Sequence, residues 1–199
     1  YLENLMKDTQ PEADDWRGLS KDITERVNSL TRRTLNRAMR NFDVQVDWGS
    51  DEGADLSGQD LQGANLKGRN FSNADLSSSN LQGAILKGCN LRNANLKDAN
   101  LVDASIKSSS LDGADLSSAN LERADIKGAS ATYAHFNSAN MDDASLRGAS
   151  LVAADFSHTN MNVANLRGAS APHANFSHSN MKDVSLRGAS LVAAEFYDT

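Results

Sequence analysis

Two histidines, His158 and His178, stand twenty residues apart, and the only thiol is Cys89. If twenty residues make one turn of a stacked structure, the two imidazoles approach within about 5 Å, one strand spacing. Such a pair could bind a metal ion weakly. The same slot holds Ser138 before the pair and Asp198 after it. Asp198 could complete a site, but a histidine pair on a flat β-surface reads as inert, and no metal is assigned. A lone cysteine excludes an internal disulfide framework and a Cys-based zinc cluster, and it suits a reducing compartment such as the cytoplasm. Cys89 itself reads as a buried, unreactive thiol. The larger pattern is charge. Lys67, Lys87, Lys107, Lys127, Arg147, Arg167 and Arg187 recur every twenty residues. Like charges stacked about 4.8 Å apart repel, so the column costs stability unless it is countered or used. It is the candidate binding strip for an acidic partner. Asp55, Asp75, Asp115, Asp155 and Glu195 share a second column, expected on the opposite face.

No phosphate-binding loop, dinucleotide fingerprint, HExxH or nucleophile elbow occurs. The sequence therefore assigns no catalytic, cofactor-binding or metal residues and no cofactor, and it reads as a non-enzyme.

What positions these columns is a repeat. "LRGAS" occupies 146–150, 166–170 and 186–190. From Leu56 to Phe196 a centre falls at every fifth position, and 27 of the 29 centres are Leu, Ile, Phe or Met; Ala131 and Ala171 are the exceptions. Two residues before each centre stands Ala in 21 cases, with Gln59 and Arg69 as the large polar departures. A period of five matches neither 3.6 nor 2, so each unit must be a short extended piece followed by a corner. Four corners close a square, which accounts for the twenty-residue identity. Gly68, Gly88, Gly128, Gly148, Gly168 and Gly188 mark a corner that favours positive φ. Asp60, Asn80, Asn100, Asn120, Asn140, Asn160 and Asn180 form a column whose amides can bond up the stack.

The segments "ADLSGQDLQGANLKG" and "ANLKDANLVDAS" resemble the A-(D/N)-L-x-x consensus of pentapeptide repeat proteins, and the register holds over 54–196 without an insertion. The resemblance implies an all-β fold: a right-handed quadrilateral β-helix of about seven coils, roughly 35 Å long at the spacing of β-strands. Centres and Ala point inward and the other three positions outward. It also brings an alternative function, since some members imitate DNA and bind or protect DNA gyrase.

Residues 1–50 do not follow the repeat. "SKDITERVNSLTRRTLNRAMRNF" (20–42) predicts an amphipathic helix, and "FDVQVDW" (42–48) a strand. An open β-helix end exposes apolar centres and strand edges. We therefore read 1–50 as a helical amino-terminal segment, with 20–48 capping the β-helix of 51–199. Tyr1–Lys7 forms a shorter helix on the same reading. The rival for the arginine-rich helix is a membrane surface or a partner helix.

The chain has 199 residues with a net charge of −6, which argues against general nucleic-acid affinity. No run of about 18 apolar residues could span a membrane. The leading expectation is a scaffold or protein-interaction module with a protein partner. Residues 51–199 carry 17 acidic and 12 basic side chains, a weak charge for a DNA mimic. Met181, Leu186, Leu191 and Phe196 would lie in an uncovered final coil, making that coil the candidate self-association end and predicting an end-to-end homodimer.

Overall fold

The computed structural model describes residues 51–199; the expected helices, strand and cap within 1–50 lie outside the described residues. Parallel bridges join residue i to residue i+20 at every fifth position, from Asp55↔Asp75 to Asn175↔Glu195. The twenty-residue period of the sequence is therefore one coil of a parallel β-helix, with four bridges per coil. No helix occurs among the described residues.

Each repeat unit sends its five N–H groups to fixed acceptors. In the unit Leu76–Asn80, Leu76 donates to Asn95 O at 2.7 Å and Ser78 to Lys97 O at 2.8 Å, both in the next coil. Ser79 closes the turn back to Leu76 O at 3.2 Å, and Asn80 donates to Gln59 O of the previous coil at 2.8 Å. The fifth N–H, on Ser77, is taken by Asp75 Oδ1 at 2.9 Å. The preference for Asp or Asn before each centre follows from this: the carboxyl or amide oxygen satisfies the one backbone donor that the coil leaves over.

The third residue of every turn has positive φ, from Gly53 to Asp198. Negative φ followed by positive φ is the pattern of a type II turn. The Gly corner read from sequence is one of four such corners. At the others the left-handed conformation falls mostly on Asn, Asp, Ser or His, and at Val163 it falls on a β-branched residue with φ 59°.

The interior is a narrow shaft that takes one centre and its small partner from each of four sides in every coil. Centres and their small partners are buried from Leu66 to Phe176. Phe136, Phe156, Phe176 and Phe196 stack at 4.8, 5.0 and 5.1 Å between ring centroids. Ala131 and Ala171, the two small centres, are fully buried. Hydroxyls in inward Ala slots bond to backbone carbonyls, as Ser79 does to Leu76 O at 2.7 Å and Ser109 to Leu86 O at 2.7 Å.

Arg69 also occupies an inward slot. Its Nε donates to Asp51 Oδ2 at 2.5 Å and its Nη2 to Asp51 Oδ1 at 2.6 Å. The guanidinium lies 5.7 Å from the centre of the Phe71 ring. A two-point ion pair with an aromatic floor lets a charge sit where the repeat elsewhere demands Ala.

Candidate outer-face contact site

The seven basic residues do form one column, each at the second position of a turn and following a bridging residue by two. Their surroundings differ along the column. Lys107 and Lys127 both reach Asp125, with Nζ to Oδ2 at 2.8 and 3.2 Å. Asp125 is partly buried, which disfavours its charge. The hydrogen bonds from Lys107, Lys127 and the Lys127 N–H outweigh that burial and hold the carboxyl below its ordinary pKa. The middle of the column is thus countered from within the chain. Spacing alone does not show this pairing. Asp125 stands in the Asx slot of the same face, two residues before Lys127, and that adjacency was the available signal.

Lys67, Lys87, Arg147, Arg167 and Arg187 are exposed, and none makes an ion pair among the described residues. The acidic column is not a row of free charges. Asp75 Oδ1 also accepts from Asn95 Nδ2 at 3.1 Å, and Asp155 Oδ1 accepts from Ser157 N at 2.9 Å and Asn175 Nδ2 at 3.3 Å. These carboxylates cap turns and extend amide ladders. The Asn column behaves similarly, with Nδ2 of Asn80, Asn100, Asn140 and Asn160 donating down the stack at 3.0–3.1 Å.

Next to the basic column, the face carrying Asn70, Asn90, Ser110, Ser130, Ser150, Ser170 and Ser190 divides into two halves. In the first, Asp112 gathers Ser110 Oγ at 3.2 Å, Thr132 N at 3.1 Å, Arg92 Nη2 at 3.1 Å and the Ser130 hydroxyl. Partial burial opposes the charge of Asp112, but these donors, Ser130 first, keep its pKa low. In the second half the hydroxyls of Ser150, Ser170 and Ser190 make no hydrogen bond among the described residues.

His158 and His178 stack with centroids 4.8 Å apart and planes 9° from parallel. His178 Nδ1 lies 3.8 Å from Asp198 Oδ2, and Tyr197 meets the His178 ring edge-on at 5.3 Å. Parallel rings direct their in-plane lone pairs side by side rather than toward one point. Among the described residues no group of three His, Cys, Asp or Glu is placed to hold a metal ion. Cys89 is buried and donates to Leu66 O at 3.0 Å, and burial, the largest influence, raises its pKa. At the carboxy end Met181, Leu186 and Leu191 are half-buried and Phe196 is 39% exposed. Met181, Leu186 and Phe196 line a hollow of about 500 Å³ with Asn180, Lys182, Val184 and Thr199. No helix of the described residues is long and apolar enough to cross a membrane.

The chain is 34% identical to a pentapeptide repeat protein from Nostoc PCC 7120, covering 51% of this chain and 84% of that one with a TM-score of 0.43. It is 30% identical to a pentapeptide repeat protein of the Arabidopsis thaliana thylakoid lumen, covering 53% and 67% with a TM-score of 0.40. It also resembles QnrB1, a plasmid-mediated fluoroquinolone resistance protein, at 21% identity over 71% and 86% of the two chains, with a TM-score of 0.41. No curated protein matches. The family model for pentapeptide repeats matches in eight copies over 52–88, 70–107, 109–148, 124–162, 149–188 and 161–198. With a twenty-residue coil, four turns per coil and these matches, the chain belongs to the pentapeptide repeat family.

Proposed function

We propose that this protein is a non-enzymatic scaffold or interaction module: a right-handed, four-sided rod of about seven coils whose charged outer columns engage a protein partner in the cytoplasm. The observation that carries this reading is the basic column, where five of the seven rungs carry no ion pair among the described residues. Within the shaft the hydroxyls of Ser79 and Ser109 are bonded to backbone carbonyls, and Arg69 to Asp51. The half-buried Met181, Leu186 and Leu191 and the partly exposed Phe196 form the surface on which two copies pair.

Affinity capture with wild-type protein beside an Arg147→Glu/Arg167→Glu/Arg187→Glu variant tests the strip. A protein retained by the first and lost by the second supports the reading. Identical recoveries overturn the role of the strip. A DNA-mimicking ligand of gyrase is the lesser reading, since the basic column interrupts the negative surface such a mimic needs. Stoichiometric inhibition or protection in a supercoiling assay would reverse that order.

A further inference from the structure

We propose that the second half of the serine face is a docking surface for an extended peptide whose residues alternate acidic and apolar. This rests on the reading of the basic column as a contact surface and assigns the contact to one segment. The two halves of the face have the same architecture but opposite internal satisfaction. In the first half Asp112 and Asp125 take up the nearby hydroxyls and cations. In the second half no acidic residue replaces them.

Three parallel rows define the open half. One edge is Arg147, Arg167 and Arg187, all exposed and without an ion pair among the described residues. The floor is Ser150, Ser170 and Ser190, short side chains that leave the surface flat and carry unengaged hydroxyls. The other edge is Val152, Pro172 and Val192, with Val192 67% exposed. The backbone adds donors. Ser in the Asx slot does not cap the N–H two residues on, so Val152 N and Val192 N have no acceptor among the described residues. At Pro172 that N–H does not exist.

A chain lying along these rows meets guanidinium forks on one side, apolar side chains on the other, and hydroxyl and N–H donors beneath. An extended peptide sends successive side chains to opposite sides and offers carbonyls between them. On one side of such a peptide residues recur about every 6.6 Å, so an alternating sequence places two carboxylates along the arginine edge and two apolar side chains along the other within the roughly 10 Å that the three rungs cover. Carboxylates suit the arginine edge because the guanidinium binds them through two parallel N–H bonds. Duplex DNA carries about one charge per 1.7 Å, well above one guanidinium per coil of about 4.8 Å, and single strands need aromatic platforms that the floor lacks.

The test is fluorescence anisotropy with a labelled octapeptide in which glutamate and valine alternate. Beside it run a block peptide of the same composition, with every glutamate ahead of every valine, an all-glutamate octapeptide, and duplex DNA. The alternating peptide is expected to bind at least tenfold more tightly than the block and all-glutamate peptides. Arg147→Gln/Arg167→Gln/Arg187→Gln should weaken it at least tenfold, Val192→Asp should weaken it severalfold, and Lys107→Gln/Lys127→Gln should leave it unchanged. Circular dichroism of each variant confirms that the fold persists. Lack of binding, equal binding of the block or all-glutamate peptide, preference for DNA, or equal loss in the lysine pair would overturn the proposal. Strip-dependent capture of a protein partner would survive any of these outcomes, so the two readings fail separately.

Discussion

The rings of Phe136 and Phe156 lie 4.8 Å apart and 2° from parallel, one coil apart in the shaft. Coil spacing imposes that distance, and Phe176 continues the stack at 5.0 Å from Phe156. Phe156 is packed between two rings, and Ala in its place leaves a cavity that neither neighbour can reach across. We expect Phe156→Ala to cost about 3–5 kcal/mol in urea denaturation. Tyr133→Ala, at a side chain 65% exposed, should stay within about 0.5 kcal/mol. Similar costs at the two sites would contradict the assignment of Phe156 to the core.

Overpacking tests the same shaft from the other direction. Ala119 and Ala139 are buried small residues between large centres. Replacing either by Leu should destabilise by about 1–3 kcal/mol. Ser118→Leu, on the outer surface, should cost much less. Thermal melts of the three variants provide the comparison.

Val163 holds φ at 59° with a β-branched side chain 55% exposed to water. The left-handed region costs an L-residue about 1–2 kcal/mol, and Asn tolerates it better. Val163→Asn should therefore stabilise by about 1 kcal/mol, and Gly168→Val, at φ 67°, should do the reverse. A lower melting temperature for Val163→Asn would refute the strain argument.

Charge reversal should separate the two parts of the basic column. Lys107→Glu/Lys127→Glu sets two carboxylates against Asp125 and should destabilise by about 1 kcal/mol, the scale of surface ion pairs. Arg147→Glu/Arg167→Glu meets no acidic neighbour and should leave the melting temperature unchanged. Matched calorimetric scans of the two double variants decide the point.

Asp112 and Asp125 are both held below the ordinary carboxylate pKa, against the opposing effect of burial. A depressed folded-state pKa means the unfolded chain binds protons more readily. The stability it contributes is present above the unfolded value of about 3.9 and is lost as pH falls through the folded value. Asp125→Asn should accordingly flatten the acid limb of a melting-temperature profile below about pH 5. An acid limb unchanged from wild type would remove Asp125 from that account.

The coil length, the inward set and the basic column were legible because each depends only on residue spacing. The contacts of Lys107 with Asp125 and of Arg69 with Asp51 were not, since they depend on how long side chains turn across a surface. Arg69 stands out as an anomaly in an Ala slot, but its partner Asp51 lies eighteen residues back and outside the five-residue pattern. The Asx caps were hidden for a different reason. Asp75 looks like a surface charge in the sequence, and its role appears only once the leftover Ser77 N–H has been identified. Glycine drew attention to one corner, although Asn, Asp and Ser hold the same φ elsewhere.

Bridges that join i to i+20 also govern how this molecule can change in length. An inserted or deleted residue that the coil takes up turns every later inward side chain toward the outside, so a small change of length must be looped out of the stack. A duplicated block of twenty residues slips in without disturbing any neighbour. The three copies of LRGAS at 146–150, 166–170 and 186–190 have the form such growth leaves behind. Length is therefore inherited in whole storeys, and each storey adds one rung of about 4.8 Å to every outer column at once. Every outer column lengthens in step with the gene, with no new contact to be invented.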